Sequence, residues 1–191
     1  KVGELYAPSR DQKKAKEYLA TALSELGCTV DDLSAHLSID CGDSPTAIAE
    51  ASFYQEQWRQ VLGIEVAVNS MITKQGSQNR KTGNYVMSVT GWGPDYNDPN
   101  TFLDIWVTDG GNNQTGFSNE RYDELIDLAA TETDLEKRES YFIECEQIIA
   151  DQLPIGPAYW RAPSYACSDK IKGGMHRSTF QDINAVYVKL S

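Results

Sequence analysis

The stretch from Ser44 to Val68 constrains the fold most. Ser44-Pro45 is a helix-start signal, with a side chain able to cap and a proline at the first helical position. Ala47, Ala51, Tyr54, Trp58, Val61 and Leu62 then form a helical apolar stripe, and Gly63 ends it. Ile64, Val66 and Val68 follow at period two, the pattern of a half-buried strand. A helix joined to a strand by one glycine demands a layered α/β architecture.

The rest of the chain repeats that alternation. Residues 1–10 read as extended or loop. Ser9 and Gln12 have capping-box spacing ahead of a helix with Ala15, Tyr18, Leu19, Ala22, Leu23 and Leu26 on one face, stopped by Gly27. Thr29 to His36 reads as a turn, and Leu33 to Ile39 as an imperfect strand. Thr73 to Asn84 is polar and reads as a loop or weak helix. Tyr85 to Val89 is a strand. Thr108 to Gly116, rich in Gly and Asn, is an exposed loop. Ser118 caps a helix with Tyr122, Leu125, Ile126 and Ala129. Thr133 and Glu136 form a capping box for a longer one with Leu135, Phe142, Cys145 and Ile149. Ile155 to Trp160 reads as an edge strand interrupted by Pro157. Tyr165 to Cys167 and Ala185 to Leu190 are further β-prone runs.

Charge and composition exclude whole classes. The net charge of −11 and pI near 4.6 leave no basic stripe for nucleic acid. The longest apolar run is four residues, Ala185 to Val188, far short of the about 20 a membrane-spanning helix needs. The four cysteines, Cys28, Cys41, Cys145 and Cys167, lack C-x-x-C spacing, so no zinc ribbon is expected. Cys28 and Cys41 are near enough in sequence for a bridge across a loop. No nucleotide-binding, serine-hydrolase or zinc-protease motif is present. The only histidines, His36 and His176, are far apart in sequence, and no cofactor is implied.

The chemistry concentrates in Tyr85 to Trp106, where a strand hands over to a loop and a short helix. Such handovers are where α/β proteins tend to bind ligands. Asp95 to Trp106 fails as a calcium loop, with Pro99 at its fifth position, Asn100 at its sixth and Trp106 at its twelfth. Asp95 and Asp98 invite a comparison with paired glycosidase carboxylates, but sequence closeness does not place two groups across one substrate. Asp98 precedes Pro99 and reads as a helix cap. Asp95 has no such local task. It reads either as an ordinary turn aspartate or as a counter-ion for a cationic ligand group, with Trp92 as a stacking wall. Phe102, Leu103 and Trp106 read as core. Asn113-Gln114-Thr115 matches a glycosylation sequon by pattern only.

The run Gly91-Trp92-x-x-Asp95-x-x-Asp98-Pro99-x-x-Phe102-Leu103 resembles a hallmark of the oligopeptide and dipeptide substrate-binding proteins of bacterial ABC transporters. The resemblance continues through Phe117-Ser118-Asn119, Tyr122-Asp123-x-Leu125-Ile126, Arg138, Tyr141, Glu144, Ile148 and Pro154-Ile155-x-Pro157-x-Tyr159. It covers roughly residues 33–165. It implies one lobe of a periplasmic-binding-protein-like (type II) fold, a mixed sheet flanked by helices. Residues 1–191 would form a single domain, the second lobe of a two-lobed protein whose first lobe has no counterpart here. It also implies an extracytoplasmic location, a peptide ligand, ABC permease partners, and a lipid anchor outside this chain. By position, Asp95 matches the aspartate that pairs with the peptide's α-ammonium and Trp92 the tryptophan beside the peptide. Val89, Gly91 and Gly93 would offer backbone groups to an extended peptide. An oligosaccharide or nickel-chelate receptor and a sensory binding protein are alternatives on the same fold.

Overall fold

The computed structural model describes residues 11–160, 166–173, 176–177, 183–184 and 189–190. The chain divides into two compact units, residues 1–91 and 92–191.

The first unit begins with helix α1 (Gln12–Leu26) and the single turn α2 (Val30–Ser34). Strand β1 (Ser38–Gly42), helix α3 (Pro45–Leu62), strand β2 (Ala67–Met71), helix α4 (Thr73–Lys81) and the short strand β3 (Met87–Ser88) follow. The sheet order is β2-β1-β3 and every pairing is parallel. Register runs from Ser38 opposite Ala67 to Gly42 opposite Met71, and Asp40 lies opposite Ser88.

The crossover through α3 steps to one side of β1, and the crossover through α4 steps to the other. Right-handed connections in opposite directions place the two helices on opposite faces of the sheet. Those faces differ in chemistry. Ile39, Cys41 and Val66 are buried with Ala51 of α3, joined by the half-buried Tyr54, Trp58, Val68, Met87 and Val89. Each aliphatic side chain so buried contributes about 1.5–3 kcal/mol. The other face carries Asp40, only 4% exposed, whose carboxylate accepts from Asn69 Nδ2 (3.2 Å) and Asn79 Nδ2 of α4 (3.3 Å). Arg80 of α4 donates to Ser88 Oγ at 3.4 Å. A buried carboxylate is tolerated only when so partnered.

This polar face explains α4. Its sequence has no apolar stripe because the face it covers is polar, and the expected loop or weak helix is a nine-residue helix. It also explains β1. The strand lies at 38–42 rather than at Leu33 to Ile39, since Ile39 and Cys41 point one way and Asp40 the other. Leu33 belongs to α2, a turn closed by a reciprocal Thr29–Asp32 capping box.

Local signals hold where they are strong. Gly27 and Gly63 end α1 and α3 in the left-handed region, at φ 64° and 70°, where a Cβ would be strained. Ser44 Oγ accepts from Ala47 N–H at 3.2 Å as expected. The α1 stripe is narrower than its sequence suggests: Ala15, Leu19, Ala22 and Leu23 are half-buried, while Tyr18 and Leu26 are exposed. Its cap is Asp11, which accepts from Lys14 N–H at 2.9 Å; Ser9 lies outside the described residues. Cys28 and Cys41 are free thiols, not a bridge.

The second unit contains α5 (Asn100–Leu103), a 3-10 turn (Asp104–Trp106), α6 (Glu120–Thr131) and α7 (Leu135–Gln152). Two short antiparallel pairs follow. Strand β4 (Ile171–Lys172) pairs with β7 (Lys189–Leu190), and β5 (His176–Arg177) pairs with β6 (Ile183–Asn184). Tyr122, Leu125, Ile126 and Ala129 of α6 close on Phe142, Cys145 and Ile149 of α7, with Leu103 between. Tyr122 is fully buried, and its hydroxyl donates to the Leu103 carbonyl at 2.7 Å.

Several expectations need correction here. Leu135 is 78% exposed and stands outside the α7 stripe. The caps are Asn119 and Asp134, not Ser118 and Thr133. Asp134 accepts from both Glu136 and Lys137 N–H, which a shorter hydroxyl does less readily. Ile155 to Trp160 forms no strand, and neither do Ala166 and Cys167; Tyr165 and residues 185–188 lie outside the described residues. Leu103 is core and Trp106 flanks it, but Phe102 packs edge-to-face on Trp160 at 5.5 Å instead. The buried positions there are Thr101, Leu103 and Ile105, because one α-turn tightening into a 3-10 turn does not hold a single helical face. Asn113 is no free sequon: its amide donates to the carbonyls of Trp106, Val107 and Phe117 and pins the loop from inside.

Candidate ligand-binding site

In a parallel sheet the crevice for ligands opens outside the carboxyl ends of strands whose connections diverge. In the first unit that point lies between β1 and β3. Beyond β3, Val89 donates its N–H to the Asp40 carbonyl at 2.9 Å. That amide is committed inside the sheet. Strand alternation turns the backbone groups of Ser88 and Thr90 the other way, toward the edge that no described strand covers. Val89's side chain packs on the α3-side core. Gly91, the last residue of this unit, is exposed.

The second unit opens with Trp92, Gly93, Pro94 and Asp95. Trp92 is 41% exposed and makes no ring contact among the described residues. A Cβ added at Gly93 would meet open space, so the backbone there is accessible. Asp95 is exposed. Its backbone N–H donates to Thr101 Oγ1 at 2.9 Å, while its carboxylate has no hydrogen bond or ion pair among the described residues.

Asp98, three residues on, is the opposite case. One oxygen accepts from Asn100 N–H at 2.9 Å, so the carboxylate serves the first amide of α5 although Pro99, not Asp98, stands at the cap position. The same carboxylate is held bidentate by Arg138, at 2.7 and 3.0 Å. Arg138 also donates through Nε to the Ala129 carbonyl and lies 4.6 Å above the Phe142 ring. The guanidinium, with help from the Asn100 N–H, outweighs partial burial and keeps the Asp98 carboxyl below the usual carboxylate range. The sequence offered no local signal for this bond, which links positions 40 apart. Nearby, Tyr96 and Asn100 meet Asp104: Tyr96 Oη donates to Asp104 Oδ2 at 3.2 Å, and Asn100 Nδ2 donates to both. Burial is the largest cause of a raised Tyr96 phenol pKa, so the ring stays neutral. This chain's loop therefore presents one carboxylate neutralised by an internal arginine and one left outward.

No group of three or more His, Cys, Asp or Glu among the described residues could hold a metal ion. No described helix is long and apolar enough to cross a membrane.

Comparison with known proteins identifies the family. Residues 3–114 match the model "bacterial extracellular solute-binding proteins, family 5 Middle". The oligopeptide-binding protein OppA of Bacillus subtilis is 35% identical over 178 residues, 89% of this chain and 31% of that protein. Among solved structures, Listeria monocytogenes OppA bound to peptide superposes at a TM-score of 0.79 with 30% identity, over 95% of this chain and 34% of that one. The substrate-binding domain of an oligopeptide ABC transporter from Bacillus anthracis superposes at 0.83 with 27% identity, over 96% and 35%. The chain thus spans about a third of the length of these relatives. These relatives are named as binding proteins, not enzymes. The chain belongs to the bacterial extracellular solute-binding proteins, family 5, an extracytoplasmic family.

Proposed function

We propose that the protein carrying this chain captures peptides outside the cytoplasm and delivers them to an ABC permease, and that this chain is one of two lobes that close on the ligand. The outward carboxylate of Asp95 carries the reading. A free peptide amino group has a pKa of about 7.7–8.0 and is largely cationic at neutral pH. It needs a carboxylate that is not already neutralised, and Asp95 supplies one while Asp98 does not. Trp92 offers an exposed ring three residues away in sequence.

The backbone chemistry suits the same ligand. An extended peptide binds by adding main-chain hydrogen bonds to an open strand edge. In the first unit the edge-facing groups of Ser88 and Thr90 are the donors and acceptors for it. Recognition of this kind reads termini and backbone before side chains, so broad sequence tolerance follows. Closure of two lobes would then be a hinge motion.

A hydrolytic reading has less support. It needs a second carboxylate able to hold a proton near neutral pH. Asp98, fixed to Arg138 and lowered in pKa, is unsuited to that. A thermal-shift screen of the full-length protein tests the ligand class. Short peptides with free amino termini should raise the melting temperature, by linkage of binding to folding. Stabilisation by oligosaccharides or nickel chelates alone would reject the peptide reading.

A further inference from the structure

Thr101 stands out once Asp95 is read as a ligand group. It is 2% exposed, one of only two buried polar or charged residues among those described. Its hydroxyl oxygen accepts the Asp95 N–H at 2.9 Å. Beyond Thr101, the next residue is held through its side chain: Tyr96 Oη donates to Asp104 Oδ2 at 3.2 Å and accepts from Asn100 Nδ2 at 3.0 Å. Pro94 and Pro99 carry no N–H. Asp98 N–H donates within the loop, to the Tyr96 carbonyl at 3.0 Å, and Phe102 N–H returns to Pro99 at 3.0 Å. These are bonds between near neighbours that shape the turn without fixing where Asp95 points. The Asp98–Arg138 ion pair anchors the far end of the loop to α7, and through the Ala129 carbonyl to α6. Thr101 anchors the near end. It lies on α5 beside Leu103, which is seated in the core of the second unit.

We infer that Thr101 is a positioning residue: its buried hydroxyl holds the Asp95 backbone so that the carboxylate is pre-set for a cationic ligand group. The inference rests on the peptide-binding reading of Asp95. A charge-assisted bond to an ammonium depends on geometry, and a carboxylate on a loose loop loses affinity through ordering. Threonine also suits the location. Its side chain is small enough to be buried, while its oxygen serves the one amide.

The experiment compares a short peptide with its N-acetylated form, by calorimetry on the full-length protein, in wild type and in Asp95→Asn, Thr101→Val and Thr101→Ser. Asp95→Asn should abolish most of the preference for the free amine; no change there would overturn the reading of Asp95 and the inference with it. With Asp95 so established, Thr101→Val should weaken the free-amine peptide about tenfold, the upper end for one neutral hydrogen bond, and leave the acetylated peptide within about twofold. Thr101→Ser, which keeps the oxygen, should retain the wild-type preference. If the valine variant does not fold, Thr101→Ala answers the same question. Equal loss for both peptides, or an unchanged preference without the hydroxyl, would reduce Thr101 to a structural role and overturn the inference.

Discussion

Replacing Arg138 with methionine tests the framework behind the loop. The guanidinium makes two short bonds to Asp98 and one to the Ala129 carbonyl, and it covers the Phe142 ring. Bonds to charged groups contribute about 1.5–3 kcal/mol each in favourable settings. Both partners here are about a quarter exposed, at 24% and 28%, so solvent screens part of that gain. The cation–π contact adds about 0.5–1 kcal/mol. Methionine keeps much of the stem packing, and Asp98 keeps its Asn100 amide and some water. The net expected loss is therefore about 3 kcal/mol, below the sum of the parts. For a chain of this length that is roughly 6–12 °C in melting temperature. Arg138→Lys keeps the charge without the fork and should lose about half as much. Urea unfolding gives the total, and amide hydrogen exchange on α6 and α7 locates it. Additive losses in Arg138→Met and Asp98→Asn, or a cost under about 0.5 kcal/mol for Arg138→Met, would refute the ion-pair account.

Two other outcomes follow from single groups. Tyr122→Phe removes only the hydroxyl that serves the Leu103 carbonyl, so stability should fall by about 1–2 kcal/mol with α6 intact by circular dichroism. Asp98 sets an acid limb, because its folded pKa lies below its ordinary value. Its contribution is complete above the ordinary carboxylate range of about 4 and is lost as pH falls through the lowered value. Asp98→Asn should flatten the stability–pH curve in that window, measured by urea midpoints at stepped pH.

Legibility in the sequence tracked the strength of local chemistry. Helix α3 is readable end to end because its cap, apolar stripe and glycine stop agree, and the α6 stripe of Tyr122, Leu125, Ile126 and Ala129 is legible as well. The caps of α1, α6 and α7 were misplaced by one or two residues toward Ser or Thr, while the structure uses Asp11, Asn119 and Asp134. A carboxylate or amide competes well for the cap amides, so the nearest hydroxyl is a poor guide in an acidic chain. Strand β1 and helix α4 are obscured together in the sequence, because Asp40 and Asn79 put a polar layer where a buried sheet face is ordinarily apolar. At the candidate site, the contrast between a locally engaged Asp98 and an outward Asp95 was legible from Pro99 alone. Arg138 and Thr101 were not, since each acts through a contact that only the fold brings about.

On the peptide-binding reading, Asp95 is held outward to receive a peptide's amino terminus. The decisive measurement is calorimetric titration of the full-length protein with a short unmodified peptide, before and after Asp95→Ala. Binding should weaken by about 1.5–3 kcal/mol, the scale of a charge-assisted hydrogen bond, with the folded state unchanged by circular dichroism. An affinity that survives the substitution unaltered would contradict that reading.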